Sequence, residues 1–295
     1  MPRPIFSAEE PKQFRSVKTT KATSTKARIA ERPDRIERAS DRLLAAVTDR
    51  GKSYPKNEDD VRVRKTILDA TRVAILVTCD GVSSGQHADL ASQTAASAAS
   101  DFLYTSLRLG GDPREAMRQA ILTADSAVRK IEYDASRGAV PPGSTIVAAI
   151  AIRKRLIVGW IGDSRCYLID KKGAALLTHD HSWVNEVVDS GIMSHEEALR
   201  SREAHQISRC IGPLHGNRSS DIAEPEIAVF DLPDYGMVLL CTDGLWNYVP
   251  TMEQMASLVK IGPGSPDAII QARSLVDYAL QQGGKDNISV AILVK

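Results

Sequence analysis

Residues 145–177 read TIVAAIAIRKRLIVGWIGDSRCYLIDKKGAALL. The apolar runs 145–152, 156–161 and 166–169, and a shorter one at 174–177, predict strands separated by the links RKR, GDSR and KKG. Links this short cannot hold a parallel crossover, so neighbours must run antiparallel. The stretch therefore reads as a meander, with Asp163 in the tight turn of a hairpin.

Working outward, TRVAILVTC (71–79) is a β-branched apolar run that stops at Asp80-Gly81, a buried strand followed by a turn. An Ala-rich helix is predicted over His87–Arg108, broken by Gly110-Gly111. Asp112 caps a second helix with Pro113 at its first position, and its apolar residues recur from Ala116 to Ile131 at helical spacing. These two helices pair antiparallel across the short glycine link. Downstream, 183–203 holds short polar helices with a capping box at Ser194 and Glu197. Ile227–Phe230, Met237–Cys241 and Ile288–Val294 are strands, and a last helix runs from Ser265-Pro266 to Gly283-Gly284. The order lacks the βαβα alternation of a doubly wound sheet. It predicts an α+β fold of antiparallel sheets with helices outside.

The chain has 295 residues, 38 Lys+Arg against 37 Asp+Glu, and 43% hydrophobic residues. That content supports a sizeable core, and the near-zero balance gives no reason to expect a nucleic-acid binder. No apolar run is long enough to span a membrane, and the N-terminus lacks the apolar core of a secretory signal. The cysteines (Cys79, Cys166, Cys210 and Cys241) are dispersed and form no CxxC, which points to a reducing cytoplasm. Residues 1–40 carry ten Lys/Arg against five Asp/Glu and few apolar residues. They read as a disordered basic tail, a solvated extension or a docking arm for an acidic partner, ahead of a single domain over 41–295. Within this border a helix start at Ile36–Val47 is a weaker expectation.

The chemistry lies in where the acids fall. Asp80 (VTCDG) and Asp243 (LLCTDG) each end an apolar strand ahead of a glycine, Asp163 sits in a turn, Asp286 precedes the last strand, and Glu58 and Asp59 precede the strand at 71. Carboxylates at strand ends face solvent from the rim of a sheet, and several rims can converge on one cleft. Crowded carboxylates repel and raise one another's pKa, which a cation relieves. Oxygen donors without Cys or His suit hard divalent ions such as Mg²⁺ or Mn²⁺. Singly, each motif reads as a turn; together they point to a metal site in which two ions sharing a carboxylate activate a water against a phosphate.

In order along 50–295 come NEDD (57–60), CDGVSSG (79–85), GSTIVAAI (143–150), GWIGDSRCYLI (159–169), LTHDHSWVNEVVDSG (177–191), HQISRCIG (205–212), LLCTDGLWNYV (239–249) and KDNISVAIL (285–293). With these blocks the sequence resembles the metal-dependent protein phosphatases of type 2C, in their compact bacterial form. The resemblance implies a central antiparallel β-sandwich flanked by pairs of antiparallel helices (α-β-β-α layers). It also implies dephosphorylation of phosphoserine and phosphothreonine in proteins by attack of water activated by Mn²⁺ or Mg²⁺, two ions with a third, weaker one. Asp80 would bridge the metals and the Gly81 carbonyl would bind one. Asp243 and Asp286 would complete the first site, Glu58 would serve the second with Asp59 coordinating or holding a water, and Asp163 would help bind the third. Ser164, Arg165 and Asn287 would support them, and 177–203 would form the flap beside the site. Phosphorylated proteins and a serine/threonine kinase system are the implied partners, with no nucleic acid, no membrane and a monomeric state.

Some positions depart from the family pattern. Where many relatives carry a phosphate-binding Arg, this chain has Tyr54, which leaves Lys52 or Lys56 to bind the substrate phosphate as point charges. Val82 stands where many eukaryotic members have a His, and Ser83-Ser84 replace Gly-Gly. Two rivals stay open at this point. One is a catalytically silent phosphoprotein-binding module of the same fold, which Tyr54 favours. The other is a serine hydrolase with Ser164 as nucleophile, which lacks a well-placed His base and leaves the other acids unexplained.

Overall fold

The computed structural model describes residues 33–68, 70–136, 138–213 and 224–295. In chain order the first elements are β1 (Arg35–Ala39), β2 (Leu44–Asp49), β3 (Asp59–Leu68), β4 (Thr71–Asp80), α1 (Ala88–Arg108), α2 (Pro113–Val128), β5 (Ile146–Ile152), β6 (Arg155–Ile161), β7 (Arg165–Asp170) and β8 (Gly173–Leu176). There follow α3 (Trp183–Asp189), α4 (His195–Leu199), β9 (Glu226–Asp231), β10 (Met237–Cys241), α5 (Asp243–Trp246), α6 (Met252–Ser257), α7 (Ala268–Gln281) and β11 (Ile288–Val294).

The strands form two sheets, one ordered β1-β2-β11-β10-β7-β8 and the other β3-β4-β5-β6-β9. Every pairing is antiparallel. The run 71–79 shows why the strands look continuously apolar. Val73, Ile75 and Val77 pack with Leu103, Met117 and Ile121 of α1 and α2. Ala74 and Leu76 pack instead with Val238, Leu240 and Leu293 of the opposite sheet. Both faces are covered, so the alternation that marks a half-exposed strand disappears. The other sheet repeats the logic, with Val47, Leu239, Val290 and Ile292 packed against Ala272, Leu275 and Val276 of α7. The result is the expected α-β-β-α layering. Asp112 caps α2 by accepting from the backbone N–H groups of Arg114 and Glu115, with Pro113 beside it; such a cap contributes about 1 kcal/mol. The Ser194–Glu197 capping box is present at α4.

Three expectations change. Residues 35–39 form the edge strand β1, paired with β2 from Arg35↔Asp49 to Ala39↔Ala45, so the domain reaches back beyond residue 41. The helix start considered for Ile36–Val47 is this hairpin, because Leu44–Asp49 is buried throughout and sits between two strands. The rest of the basic tail, residues 1–32, lies outside the described residues. Second, the meander is split: β5 and β6 belong to one sheet, β7 and β8 to the other. Gly162–Ser164 is thus a crossing between sheets rather than a hairpin turn, with Gly162 at φ 107° where an added Cβ would meet Thr145 at 2.6 Å. Third, β3 precedes β4 in the same sheet, so Asp59 opens a strand of its own and stands opposite Asp80.

Candidate metal centre

One end of the sandwich collects the strand termini that carry the acids. Asp80 ends β4, Asp243 begins α5 two residues after β10, Asp286 stands two residues before β11, and Asp163 lies on the β6–β7 crossing. Asp80, Asp163, Asp243 and Asp286 line one cleft of about 880 Å³, with Gly81, Val82, Ser83, Pro141, His205 and Arg209 among its other walls.

Hydrogen bonds hold the rim. The Asp80 N–H donates to Thr145 Oγ1 (3.1 Å), which exchanges a 2.7 Å bond with Ser164 Oγ, and the Asp80 carbonyl accepts from Thr145 N (2.7 Å) and Ser144 Oγ (2.9 Å). Ser164 is thereby a buried structural hydroxyl, 1% exposed and absent from the cleft wall, which removes the serine-hydrolase reading. Asn287 pins the segment before β3: its Oδ1 accepts from Glu58 N (2.7 Å), and its Nδ2 donates to the carbonyls of Arg50 (2.7 Å) and Lys56 (3.0 Å). Asp59 accepts from Thr242 Oγ1 at 2.8 Å, tying β3 to the end of β10. Glu58 accepts from Ser83 Oγ at 2.6 Å. Trp246 Nε1 donates to the Asp163 carbonyl at 3.1 Å, and the Arg165 guanidinium stacks 3.7 Å above the Trp246 ring. The glycines are required by close approach. A Cβ on Gly81 would meet the Ala88 carbonyl oxygen at 2.2 Å, and one on Gly244 the Asn287 carbonyl oxygen at 1.9 Å.

The electrostatics are those of a site short of positive charge. Burial, then the charges of Asp59, Asp243, Asp163 and Asp286, push the Asp80 carboxyl well above the usual range. Asp243 is raised likewise, by burial and then by Asp163 and Asp286. Asp163 is pushed up to about 7 by burial and then by Asp180. Asp286 is raised by burial, opposed by the Asn287 N–H. Two bare carboxylates at 4 Å repel by about 4 kcal/mol at an intermediate dielectric, enough to keep one protonated unless a cation intervenes.

The donor chemistry fits a hard divalent ion. Asp243 Oδ1 is buried without a hydrogen-bond partner, and the donors are carboxylate and carbonyl oxygens throughout. Among the described residues no group of three or more His, Cys, Asp or Glu side chains is drawn close enough to form a ready-made ion cage. The acids share a cleft but not a coordination shell, as expected for like charges held apart.

The expected phosphate ligands lie elsewhere. Lys52 Nζ donates to the Leu280 carbonyl near the end of α7 at 2.7 Å, a position that favours a cation, and Lys56 faces Asp89 at 3.4 Å. Neither lines the cleft. Tyr54 is in the field of the site instead: the Asp286 charge, then burial, raise its phenol, while a bond with Ser83 lowers it. Arg209, on the wall beyond the flap, is the Lys or Arg that lines the cleft among the described residues. It stands in the quoted block HQISRCIG, whose only sequence signal was its place in the order of blocks.

Comparison with known proteins matches this architecture. The Protein phosphatase 2C family profile covers residues 58–288. The serine/threonine phosphatase stp of Listeria welshimeri is 29% identical over 256 residues, spanning 83% of this chain and 93% of that protein. Among solved structures, the Mycobacterium tuberculosis serine/threonine phosphatase PstP/Ppp superposes with a TM-score of 0.68 at 27% identity, over 88% of this chain and 99% of that one. The catalytic domain of PstP in complex with two manganese ions gives 0.66 at 26% identity, over 88% and 98%. By fold, by the order of its acidic motifs and by the extent of these matches, this chain belongs to the protein phosphatase 2C family.

Proposed function

We propose that this chain is a metal-dependent protein phosphatase that hydrolyses phosphoserine and phosphothreonine in proteins. The observation that carries the reading is the convergence of Asp80, Asp163, Asp243 and Asp286 on one cleft with no ion pair to any of them among the described residues. Asp80, the Gly81 carbonyl, Asp243, Asp286 and Glu58 would hold two divalent ions, with Asp59 in support and Asp163 toward a third. Bound Mn²⁺ or Mg²⁺ supplies the charge that neutralises phosphate oxygens and lowers the pKa of an attacking water.

The chain's own groups do the rest. Ser144 and Thr145 fix the backbone of Asp80 so that its carboxylate keeps one direction. Asn287 holds the Glu58 segment against β11. Val82, Val140 and Pro141 form an apolar wall that limits water around the phosphoester. Ser83 and Arg209 stand at the rim and reach phosphate oxygens on leaving Glu58 and Glu226, as Lys52 and Lys56 do only by leaving the Leu280 carbonyl and Asp89. Val82 has no proton to deliver to the leaving serine or threonine. Phosphoproteins supplied by a serine/threonine kinase are the substrates, and the enzyme acts as a cytoplasmic monomer. Among the described residues no helix is long and apolar enough to cross a membrane.

Hydrolysis of a phosphothreonine peptide with Mn²⁺, with and without EDTA, tests the reading. Turnover lost on chelation and restored by Mn²⁺ is the expected result. Turnover indifferent to EDTA refutes it, and Mn²⁺ binding without turnover identifies the silent binding module.

A further inference from the structure

His181 is 7% exposed at the entrance to the flap, two residues before α3, and does not line the cleft. Its ring and its backbone grip the same glycine. The Gly162 N–H donates to His181 Nδ1 at 3.0 Å, and the His181 N–H donates back to the Gly162 carbonyl at 3.0 Å. Gly162 immediately precedes Asp163, and its φ of 107° admits no side chain. A backbone N–H can only donate, so Nδ1 presents its lone pair and Nε2 carries the proton. Nε2 faces Glu226 Oε1 at 2.8 Å, at the start of β9. The segment after the flap returns to the same residue: Ser208 N donates to the His181 carbonyl at 2.9 Å, and Arg209 Nη1, which can only donate and so forms no bond with the protonated Nε2 beside it, lies 3.6 Å from Glu226 Oε1.

We propose that His181, as a neutral Nε2–H imidazole, is a positioning residue that locks the start of the flap and the 205–210 segment that follows it to the Gly162–Asp163 crossing. Movement of the cleft wall at 205–210, where a protein substrate would lie, is thereby transmitted to the backbone carrying Asp163. The role of that coupling in turnover rests on the phosphatase reading; the clamp itself does not. His181 is not a general acid in this scheme, because both ring nitrogens are engaged away from the cleft.

The test uses the full chain and three variants. His181→Asn keeps an acceptor where Nδ1 stands, His181→Gln keeps a group that reaches Glu226 but offers Gly162 no acceptor, and His181→Ala keeps neither. Hydrogen exchange at the Gly162 amide and in the 205–210 segment should quicken about fivefold or more in Gln and Ala and stay near wild type in Asn. The KM for a phosphothreonine peptide should rise about threefold or more in Gln and Ala, with a smaller change in kcat and recovery in Asn. Asn behaving like Ala, or all variants matching wild type, overturns the proposal. Should the variants fail to fold, ring ¹⁵N shifts of wild-type His181 decide: an unprotonated Nδ1 with a protonated Nε2 supports the clamp, and the opposite tautomer or an imidazolium at neutral pH refutes it. Exchange and ring shifts need no turnover, so an inactive chain with an intact clamp would count against the phosphatase reading alone.

Discussion

Two sets of carboxylates share this molecule. Asp49, Asp60, Asp125 and Asp180 are buried, and each meets an arginine: Arg35 at 2.7 Å, Arg62 at 2.7 Å, Arg129 at 2.7 Å and Arg165 at 2.6 Å. Asp80, Asp163, Asp243 and Asp286 line the cleft, and their strongest charged neighbours are mostly one another. The contrast is sharpest between Asp180 and Asp163. Arg165 gives Asp180 contacts from both Nε and Nη2, and Asp163 is left with the Asp180 charge as its second largest perturbation after burial. The lesson is that buried and half-buried acids in this fold serve two ends. An internal guanidinium makes one set structural, and the want of one makes the other set a receptor for an external cation. A buried pair is costly to break, whereas an uncompensated cluster destabilises the fold until something binds it.

The largest expected effect falls on Asp80→Asn. With Mn²⁺ it should lower kcat/KM for p-nitrophenyl phosphate by about 10³-fold or more. In metal-free buffer the same change should raise Tm by a few degrees, because it removes one of several repelling charges. A lower metal-free Tm would place Asp80 with the structural set and break the distinction.

Asp180→Asn should do the reverse. Removing the partner of a mostly buried guanidinium should cost about 3 kcal/mol in urea unfolding, and a cost near zero would show that pairing is not what separates the sets. Adding Mn²⁺ at about a hundredfold excess over its Kd should stabilise the wild type by about 2.7 kcal/mol. Thermal unfolding with and without EDTA measures this, and Asp80→Asn should lose most of the gain. Equal stabilisation in the two proteins would move the binding site elsewhere.

The smallest effect concerns pH. Burial first, and Arg209 and His179 with it, hold the His181 imidazole below its ordinary 6.5, against the opposing pull of Glu226. A folded-state value below the unfolded one means the neutral ring's contribution is complete above pH 6.5 and is lost as pH falls through the lower folded value. Wild type should therefore lose stability relative to His181→Asn as pH drops from 7 to 5, read from unfolding curves. A gap independent of pH would mean that the ring is not held neutral.

Much of the fold was legible because burial and periodicity carried it. The α1–α2 pair, β4 to β8, the capping box and the terminal strand stand close to where the residues predict them. β3 was not read as a strand although Val61 and Val63 face the core and Arg62 and Arg64 do not, a period of two hidden beside the charges of NEDDVRVRK. β1 was missed because RIERA is a charged edge, and its strand character comes from pairing with β2 rather than from its own residues. Lys52 and Lys56, the expected phosphate ligands, stand off the cleft for the same kind of reason. Lys52 and Lys56 neighbour Glu58 in sequence, but the backbone turns at Gly51 and sends Lys52 to the end of α7.

By itself the sequence determined the inventory: which segments are apolar enough to be strands, which acids stand at their ends, and that the donors are oxygens. Tertiary structure alone decided the rest. It assigned strands to one sheet or the other, made the Asp163 link a crossing between sheets, gave arginines to some carboxylates and withheld them from others, and bound the flap to Gly162 through one imidazole. Composition and periodicity are local properties of a chain. Which charge meets which depends on residues brought together across more than two hundred positions, as Asn287 meets Glu58, and no local pattern encodes that meeting.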